Sequence, residues 1–94
     1  LNKGIEPSLF FYRDSNNNEI DLIIKSGNKL FPVEIKASQT FNKSFLKNIN
    51  YFKSITKDRY EKGYLIYSGM QEQSVQDTQV LHYSNAYTLC NSID

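Results

Sequence analysis

The stretch EIDLIIKSGNKLFPVEIKA, residues 19–37, decides the fold of this chain. It contains two strand-like runs, residues 19–25 and 30–37, separated by the turn sequence SGNK. Glycine and asparagine at the centre of such a turn favour a tight β-hairpin. The stretch therefore predicts two antiparallel strands whose turn is centred on Gly27 and Asn28.

A hairpin centred there sorts its side chains onto two faces, because side chains alternate along each strand. One face is apolar and is the predicted core: Ile20, Leu22, Ile24, Phe31, Val33 and Ile35. The second face holds Glu19, Asp21, Ile23, Pro32, Glu34 and Lys36. Opposite partners in this register include Leu22 with Val33 and Asp21 with Glu34. A loop of different parity would instead separate Asp21 and Glu34 onto opposite faces.

Three further strands are predicted outside the hairpin. Residues 8–14 (SLFFYRD) precede it, and residues 63–68 (GYLIYS) and 78–83 (TQVLHY) follow it. The run at 63–68 is almost entirely apolar, which indicates a central strand. Residues 69–77 are polar and are assigned to a loop. Pro32 cannot donate a ladder hydrogen bond, so it suggests an edge strand or a bulge.

One helix is predicted over residues 42–57, where apolar residues recur at helical spacing and Thr40 or Asn42 can form the N-cap. The segment from Ser84 onward is ambiguous. The expected fold is therefore an α/β fold with a mixed sheet, in the order βββαββ. A helix between the third and fourth strands favours a right-handed crossover onto a parallel neighbour.

Composition limits the classes of function. A chain of 94 residues with a net charge of +1 is one domain, and it lacks the strongly basic surface of a protein that coats nucleic acid. Seven Tyr and six Phe are too many for a disordered chain. The single cysteine, Cys90, excludes an intramolecular disulfide framework and a zinc ribbon.

The apolar runs and the start of the sequence predict where the protein is located and whether the chain is part of a longer one. No apolar run approaches the roughly 18 residues of a membrane span, and no signal-peptide pattern is present. We therefore expect no membrane association and a cytoplasmic location. The chain starts at Leu1 with no helix pattern before its first strand, so we expect residues 1–94 to be a single-domain fragment of a longer protein.

The charged face of the hairpin predicts a divalent-metal site. Asp21 and Glu34 would place their Cβ atoms about 4.5–5.5 Å apart, and a cation would offset their repulsion. Mg²⁺ usually binds one or two carboxylates together with water and phosphate oxygens. The backbone carbonyl of Ile35 could add a third oxygen, and Lys36 could position the attacking water. The alternative is an ordinary solvated face.

Four other charged residues are candidates for supporting roles. Arg13 lies near Glu19 in the predicted layout, where it could form a structural ion pair or contact a phosphate. Lys43 and Lys47 lie one helical turn apart and are candidate nucleic-acid contacts, with a solubilising surface as the alternative. The four scattered glycines cannot form a phosphate-binding loop, so we expect no bound nucleotide.

Asp21 in one strand, followed by Glu34 and Lys36 in the next, resembles the PD-(D/E)XK nuclease superfamily. The longer run 11–38 looks like the C-terminal domain of unknown function that follows an AAA-type ATPase module in many bacterial and archaeal proteins. This resemblance implies a restriction-endonuclease-like core with Mg²⁺ or Mn²⁺ at Asp21 and Glu34. It also implies that the helix that usually precedes the first strand, often bearing another acid, is missing here.

The resemblance implies a function and partners. The expected function is Mg²⁺-dependent hydrolysis of DNA phosphodiester bonds, linked to an AAA-type ATPase. The expected partners are DNA and the protein's own N-terminal ATPase module. The alternative is a catalytically silent binding or regulatory domain of the same fold, which docks a partner or the ATPase module.

Overall fold

The computed structural model describes residues 8–89, which form six strands and one α-helix. The order is β1 (Ser8–Arg13), β2 (Glu19–Ser26), β3 (Lys29–Lys36), α1 (Lys47–Thr56), β4 (Gly63–Tyr67), β5 (Gln73–Val75) and β6 (Thr78–His82). Short 3-10 turns lie at Lys43–Leu46, Lys57–Arg59 and Tyr83–Asn85. The mixed α/β class is confirmed, but the assignment of residues 69–77 to a loop is wrong because this segment contains β5. Cys90 lies outside the described residues.

The strands form one mixed sheet in the order β1-β2-β3-β4-β6-β5. Neighbours are antiparallel at β1–β2, β2–β3 and β5–β6, and parallel at β3–β4 and β4–β6. The parallel β3–β4 pair confirms that the connection containing the helix joins parallel neighbours, and its right-handedness stays a prediction. All five residues of β4 are buried, as expected for a central strand.

The hairpin has the predicted register between β2 and β3. Leu22 pairs with Val33, Ile24 with Phe31, and Ser26 with Lys29. Gly27 has a φ of 60°, in the left-handed region that glycine adopts without steric cost. Local turn chemistry and side-chain alternation were therefore sufficient to predict the pairing.

The pairing between β1 and β2 contains a bulge that the sequence did not predict. Phe10 pairs with Ile23 and Tyr12 pairs with Ile20, so two residues of β2 oppose one residue of β1. Ile20 consequently packs with Ile23 on the face that α1 covers. The prediction that Ile20 shares a face with Ile24 is wrong, because the extra residue reverses the alternation of side chains.

Pro32 lies within an interior strand, so the predicted edge or bulge at this position is wrong. It is buried and pairs with Ile23 of β2. On the β4 side, an isolated bridge joins Leu30 to Tyr60, and the parallel ladder begins only at Val33. Proline, which has no amide hydrogen, therefore lies between the bridge and the ladder.

The core occupies both faces of the sheet. The face under α1 buries Ile20, Ile23, Leu30, Leu46, Ile49, Phe52, Leu65, Tyr67 and Val80. The opposite face buries Ile24, Phe31, Val33, Tyr64, Ile66, Leu81 and Leu89. Ile35, predicted as core, is 60% exposed, so the cover over this second face stops short of the end of β3.

The helical segment is shorter than predicted because its first turn is 3-10. The side chain of Asn42 accepts a hydrogen bond from the Ser44 amide at 2.8 Å, which confirms Asn42 as the cap. Ile49 and Phe52 are buried against the sheet, whereas Ile55 is 47% exposed. None of the described helices is long and apolar enough to cross a membrane.

Candidate metal centre

Asp21 and Glu34 meet where the ladder of paired residues between β2 and β3 ends. The Asp21 amide donates to Oε1 of Glu34 at 2.9 Å, and the Ile35 amide donates to Oδ2 of Asp21 at 2.9 Å. Each carboxylate therefore accepts a backbone amide of the other strand. These two bonds fix each carboxylate to the backbone of the neighbouring strand at the bulged end of the hairpin.

The two carboxyl groups have different environments. Glu34 is 3% exposed, whereas Asp21 is exposed. Burial raises the pKa of Glu34, and the negative charge of Asp21 adds to this effect. The hydrogen bond from the Asp21 amide and the charge of Lys36 oppose it without reversing it. None of the described ion pairs includes Glu34, and a buried carboxylate without a counter-ion is costly.

Lys36 lies two residues after Glu34, on the same face of β3. Its ammonium lies 5.6 Å from the centroid of the Phe45 ring, in a cation–π contact. It interacts with Glu34 through its charge but is in none of the described ion pairs. The ammonium is thus held at the edge of the site with its charge not neutralised by a carboxylate.

Asn48 of α1 contributes to the site and was not predicted. Its side chain lies close enough to Glu34 to favour the ionised carboxylate and lower the pKa of Glu34. Helical spacing gave no signal for it, because adjacent residues of a helix do not share a face. Only the packing of α1 over β3 shows that Asn48 reaches the buried carboxylate.

A second cluster connects the β1–β2 turn to α1. The carboxylate of Asp14 accepts hydrogen bonds from the amides of Asn16 and Asn18 and from the hydroxyl of Tyr12. Desolvation opposes ionisation of Asp14, but hydrogen bonds from Tyr51 and these amides outweigh it and lower its pKa to about 2. The hydrogen bond to Asp14 raises the pKa of Tyr51 to about 12. This cluster fixes the start of β2, which carries Asp21.

Arg13 and Glu19 form the structural ion pair that was one of their two predicted roles. Nη2 of Arg13 lies 2.9 Å from Oε1 of Glu19, and both side chains are exposed. The bulge turns Ile20 toward α1, so Glu19 points to the opposite face by alternation. The prediction that Glu19 shares a face with Glu34 is therefore wrong, and the same alternation places Asp21 on the face of Glu19. Asp21 and Glu34 are joined through backbone amides.

Lys43 and Lys47 are both exposed, but they do not share one α-helix. Lys43 belongs to the 3-10 turn, and Lys47 is the first residue of α1. Neither is in the ion pairs found among residues 8–89. The two lysines follow the end of β3 in the chain, and their proposed contact with nucleic acid stays a prediction.

Metal binding by Asp21 and Glu34 stays a prediction. Within the part of the chain that the structure describes, no group of three or more His, Cys, Asp and Glu residues could hold a metal. Structural zinc requires such a set, whereas Mg²⁺ is commonly bound through one or two carboxylates with water. The ligand role of the Ile35 carbonyl stays a prediction.

The fold and the site define a class: a small mixed α/β domain whose central hairpin carries a carboxylate pair and a nearby lysine. Residues 1–86 match the family described as Domain of unknown function (DUF4143). The chain belongs to this family. No match to the chain was found among the curated proteins.

Proposed function

We propose that this domain is a Mg²⁺-dependent nuclease that hydrolyses DNA phosphodiester bonds at a site of the PD-(D/E)XK type. The observation that carries the proposal is Glu34. It is a buried carboxylate, it contacts Asp21 through reciprocal amide bonds, and it is in none of the described ion pairs. A divalent cation would neutralise this charge.

Each residue of the site has a role in the proposal. Asp21 and Glu34, with the carbonyl of Ile35, hold the metal, and Asn48 orients the carboxylate of Glu34. Bound Mg²⁺ would supply a Lewis acid and lower the pKa of a coordinated water. Lys36 positions the attacking water or neutralises charge on the phosphate, because its ammonium is not engaged in a described ion pair.

Control by an AAA-type ATPase module is part of the proposal and rests on the resemblance of residues 11–38. The chain has four scattered glycines and no phosphate-binding loop of its own. ATP hydrolysis would therefore take place in another part of a longer protein. Lys43 and Lys47 are proposed to contact the phosphates of DNA as exposed, unpaired cations.

A catalytically silent docking domain is the second candidate, and one observation favours it. Each carboxylate already accepts a backbone amide, and no third ligand residue joins the pair within residues 8–89. Such a pair could serve only to terminate the β2–β3 ladder. This candidate predicts that the site has no affinity for metal.

Metal binding separates the two candidates. We expect Mg²⁺ and Mn²⁺ at millimolar concentrations to shift or broaden the amide NMR signals of Asp21 and Ile35, since both amides donate to the carboxylate pair. Asp21→Asn should abolish the response. Asp58→Asn, which changes an exposed aspartate in the turn after α1, should retain it.

Cleavage is the second test, made with the chain and with the longer protein that contains it. The proposal expects metal-dependent cutting of DNA that Asp21→Asn and Glu34→Gln each abolish. Cutting that survives Asp21→Asn would contradict it. An unresponsive amide spectrum at millimolar metal would also contradict it and would favour the docking domain.

A further inference from the structure

A cleft of about 490 Å³ lies at the carboxyl ends of the parallel strands, outside the carboxylate pair. Its lining residues come from the segments that follow β3 and β4 and from the end of β6: Gln39, Ser68, Gly69, Met70, His82 and Tyr83. Open α/β sheets generally bind ligands at the carboxyl ends of their strands. The position of the cleft is therefore that of a binding site.

The cleft borders the proposed active site. Lys36 of β3 pairs with Tyr67 of β4, which pairs with His82 of β6, so the three residues form one row across the sheet. Two strand spacings separate Lys36 from His82, or about 10 Å. A short stretch of nucleic-acid strand can therefore contact Lys36 and the cleft together.

His82 and Tyr83 form an aromatic pair on the cleft wall. Their ring centroids are 4.2 Å apart, with an angle of 34° between the planes, and Tyr83 is 63% exposed. Nδ1 of His82 accepts the Ser84 amide at 3.1 Å, so the neutral ring carries its proton on Nε2. No described hydrogen bond uses Nε2. The pair thus offers a ring surface and one hydrogen-bond donor.

The charge of the cleft favours an uncharged ring over a phosphate. None of its lining residues within the described part of the chain is a Lys or an Arg. The nearby carboxylate of Glu72 accepts hydrogen bonds from the amide of His82 and the side chain of Asn85, which lower its pKa and keep it ionised. Gln39 and Ser68 provide donors and acceptors for the edge of a heterocycle, and Met70 provides apolar surface.

We infer that this cleft holds an unpaired base of a DNA strand, stacked on Tyr83, while the adjoining phosphate lies toward Lys36. The substrate is then single-stranded DNA or a frayed end, because a base within a duplex is already paired and stacked. The position of the phosphate near Lys36 rests on the proposed function. The binding of the base requires neither metal nor cleavage.

The test measures the affinity of the 94-residue chain for a fluorescein-labelled oligo(dT) strand by anisotropy, in a chelator. Tyr83→Ala should weaken binding about five- to 150-fold, the effect of removing one stacked base. Tyr83→Phe, which keeps the ring, should stay within about twofold of the original chain. The matched control is Tyr87→Ala, because Tyr87 is 67% exposed and is not part of the cleft lining. It should leave the affinity unchanged.

Several results would overturn the inference. One is an affinity for the single strand that is the same in the original chain and in Tyr83→Ala, or that falls equally in Tyr87→Ala. Another is tighter binding of a blunt duplex of the same length. The last is no binding of the single strand by the original chain. Binding in chelator requires no metal, so Tyr83-dependent binding without any metal response or cutting would contradict the proposed function and support this inference. Circular dichroism of each variant verifies that it is folded.

Discussion

Glu34 is held in its buried position by hydrogen bonds instead of by an ion pair. The amide of Asp21 and the side chain of Asn48 both stabilise the ionised carboxylate, yet burial still raises its pKa. A hydrogen-bonded carboxylate of this kind can persist in the fold while remaining available to a cation. The same residue is thus an electrostatic cost to the metal-free chain and a metal ligand in the proposed function.

Glu34→Gln should stabilise the metal-free chain at neutral pH. Because the pKa of Glu34 is raised in the folded state, its favourable contribution is complete below the ordinary value of 4.5 and is lost as pH rises through the folded pKa. Glutamine carries no charge and has no such loss. In chelator at pH 7, we expect the melting temperature to rise by on the order of a few degrees.

Thermal unfolding between about pH 4 and pH 8 provides the measurement, because this range includes the ordinary pKa of a glutamate. As pH rises from about 4, the melting temperature of the original chain should fall relative to that of Glu34→Gln. Saturating Mg²⁺ should raise the melting temperature of the original chain alone, since ligand binding to the folded state stabilises it. Parallel pH profiles would show that the Glu34 carboxyl is not perturbed by burial.

At the scale of the elements, α1 joins the site to the core. Ile49 and Phe52 bury its apolar side, Asn48 contacts Glu34, and Tyr51 binds Asp14. A helix that packs on the sheet in one register therefore fixes both polar contacts. Removal of a buried side chain such as Ile49 should therefore disturb the site as well as the fold.

Ile49→Ala should lower the free energy of unfolding by about 2–5 kcal/mol, the usual cost of removing a fully buried aliphatic side chain. Ile49 is 0% exposed, whereas Ile55 on the same helix is 47% exposed. The matched change Ile55→Ala should cost less than about 1 kcal/mol. Urea denaturation followed by circular dichroism compares the two, and equal losses would contradict the packing described for α1.

The β5–β6 hairpin was missed because its turn lacks the usual sequence signal. Gln76 and Asp77 both have positive φ, of 50° and 65°, at positions where asparagine and glycine are preferred. Contacts from α1 support this turn: Asn50 bonds Gln76 at 3.1 Å, and Lys53 bonds Asp77 at 2.6 Å. The conformation thus depends on a helix more than twenty residues away in the chain.

At the scale of the whole molecule, the sheet has one apolar edge. β1 is an outer strand, and Leu9, Phe10 and Phe11 are 63%, 43% and 74% exposed. Ile35 adds exposed apolar surface near the end of β3. An outer strand with exposed aromatic side chains and free backbone groups is prone to pair with another chain.

Phe11→Lys should reduce association of the 94-residue chain at high concentration. A charge on an outer strand opposes edge-to-edge pairing, and Phe11 is exposed enough to be replaced without disturbing the core. Sedimentation velocity over a concentration series measures the effect. Tyr87→Lys, at an exposed tyrosine outside β1, is the control, and equal changes in both variants would contradict a role for the β1 edge.

The sequence by itself determined the central hairpin and the register of its strands from Leu22–Val33 to Ser26–Lys29. These features depend on a local turn and on strict alternation, so they need no knowledge of distant residues. The sequence also determined the parallel crossover, because a helix joins the two strands.

Only the tertiary structure decided which side chains surround the carboxylates. The bulge between β1 and β2 moved Ile20 under α1 and removed Glu19 from the site, and the packing of α1 brought Asn48 to Glu34. The tertiary structure also forms the cleft from residues at the ends of three different strands. Such placements depend on contacts between residues far apart in the chain, where neither alternation nor helical spacing carries information.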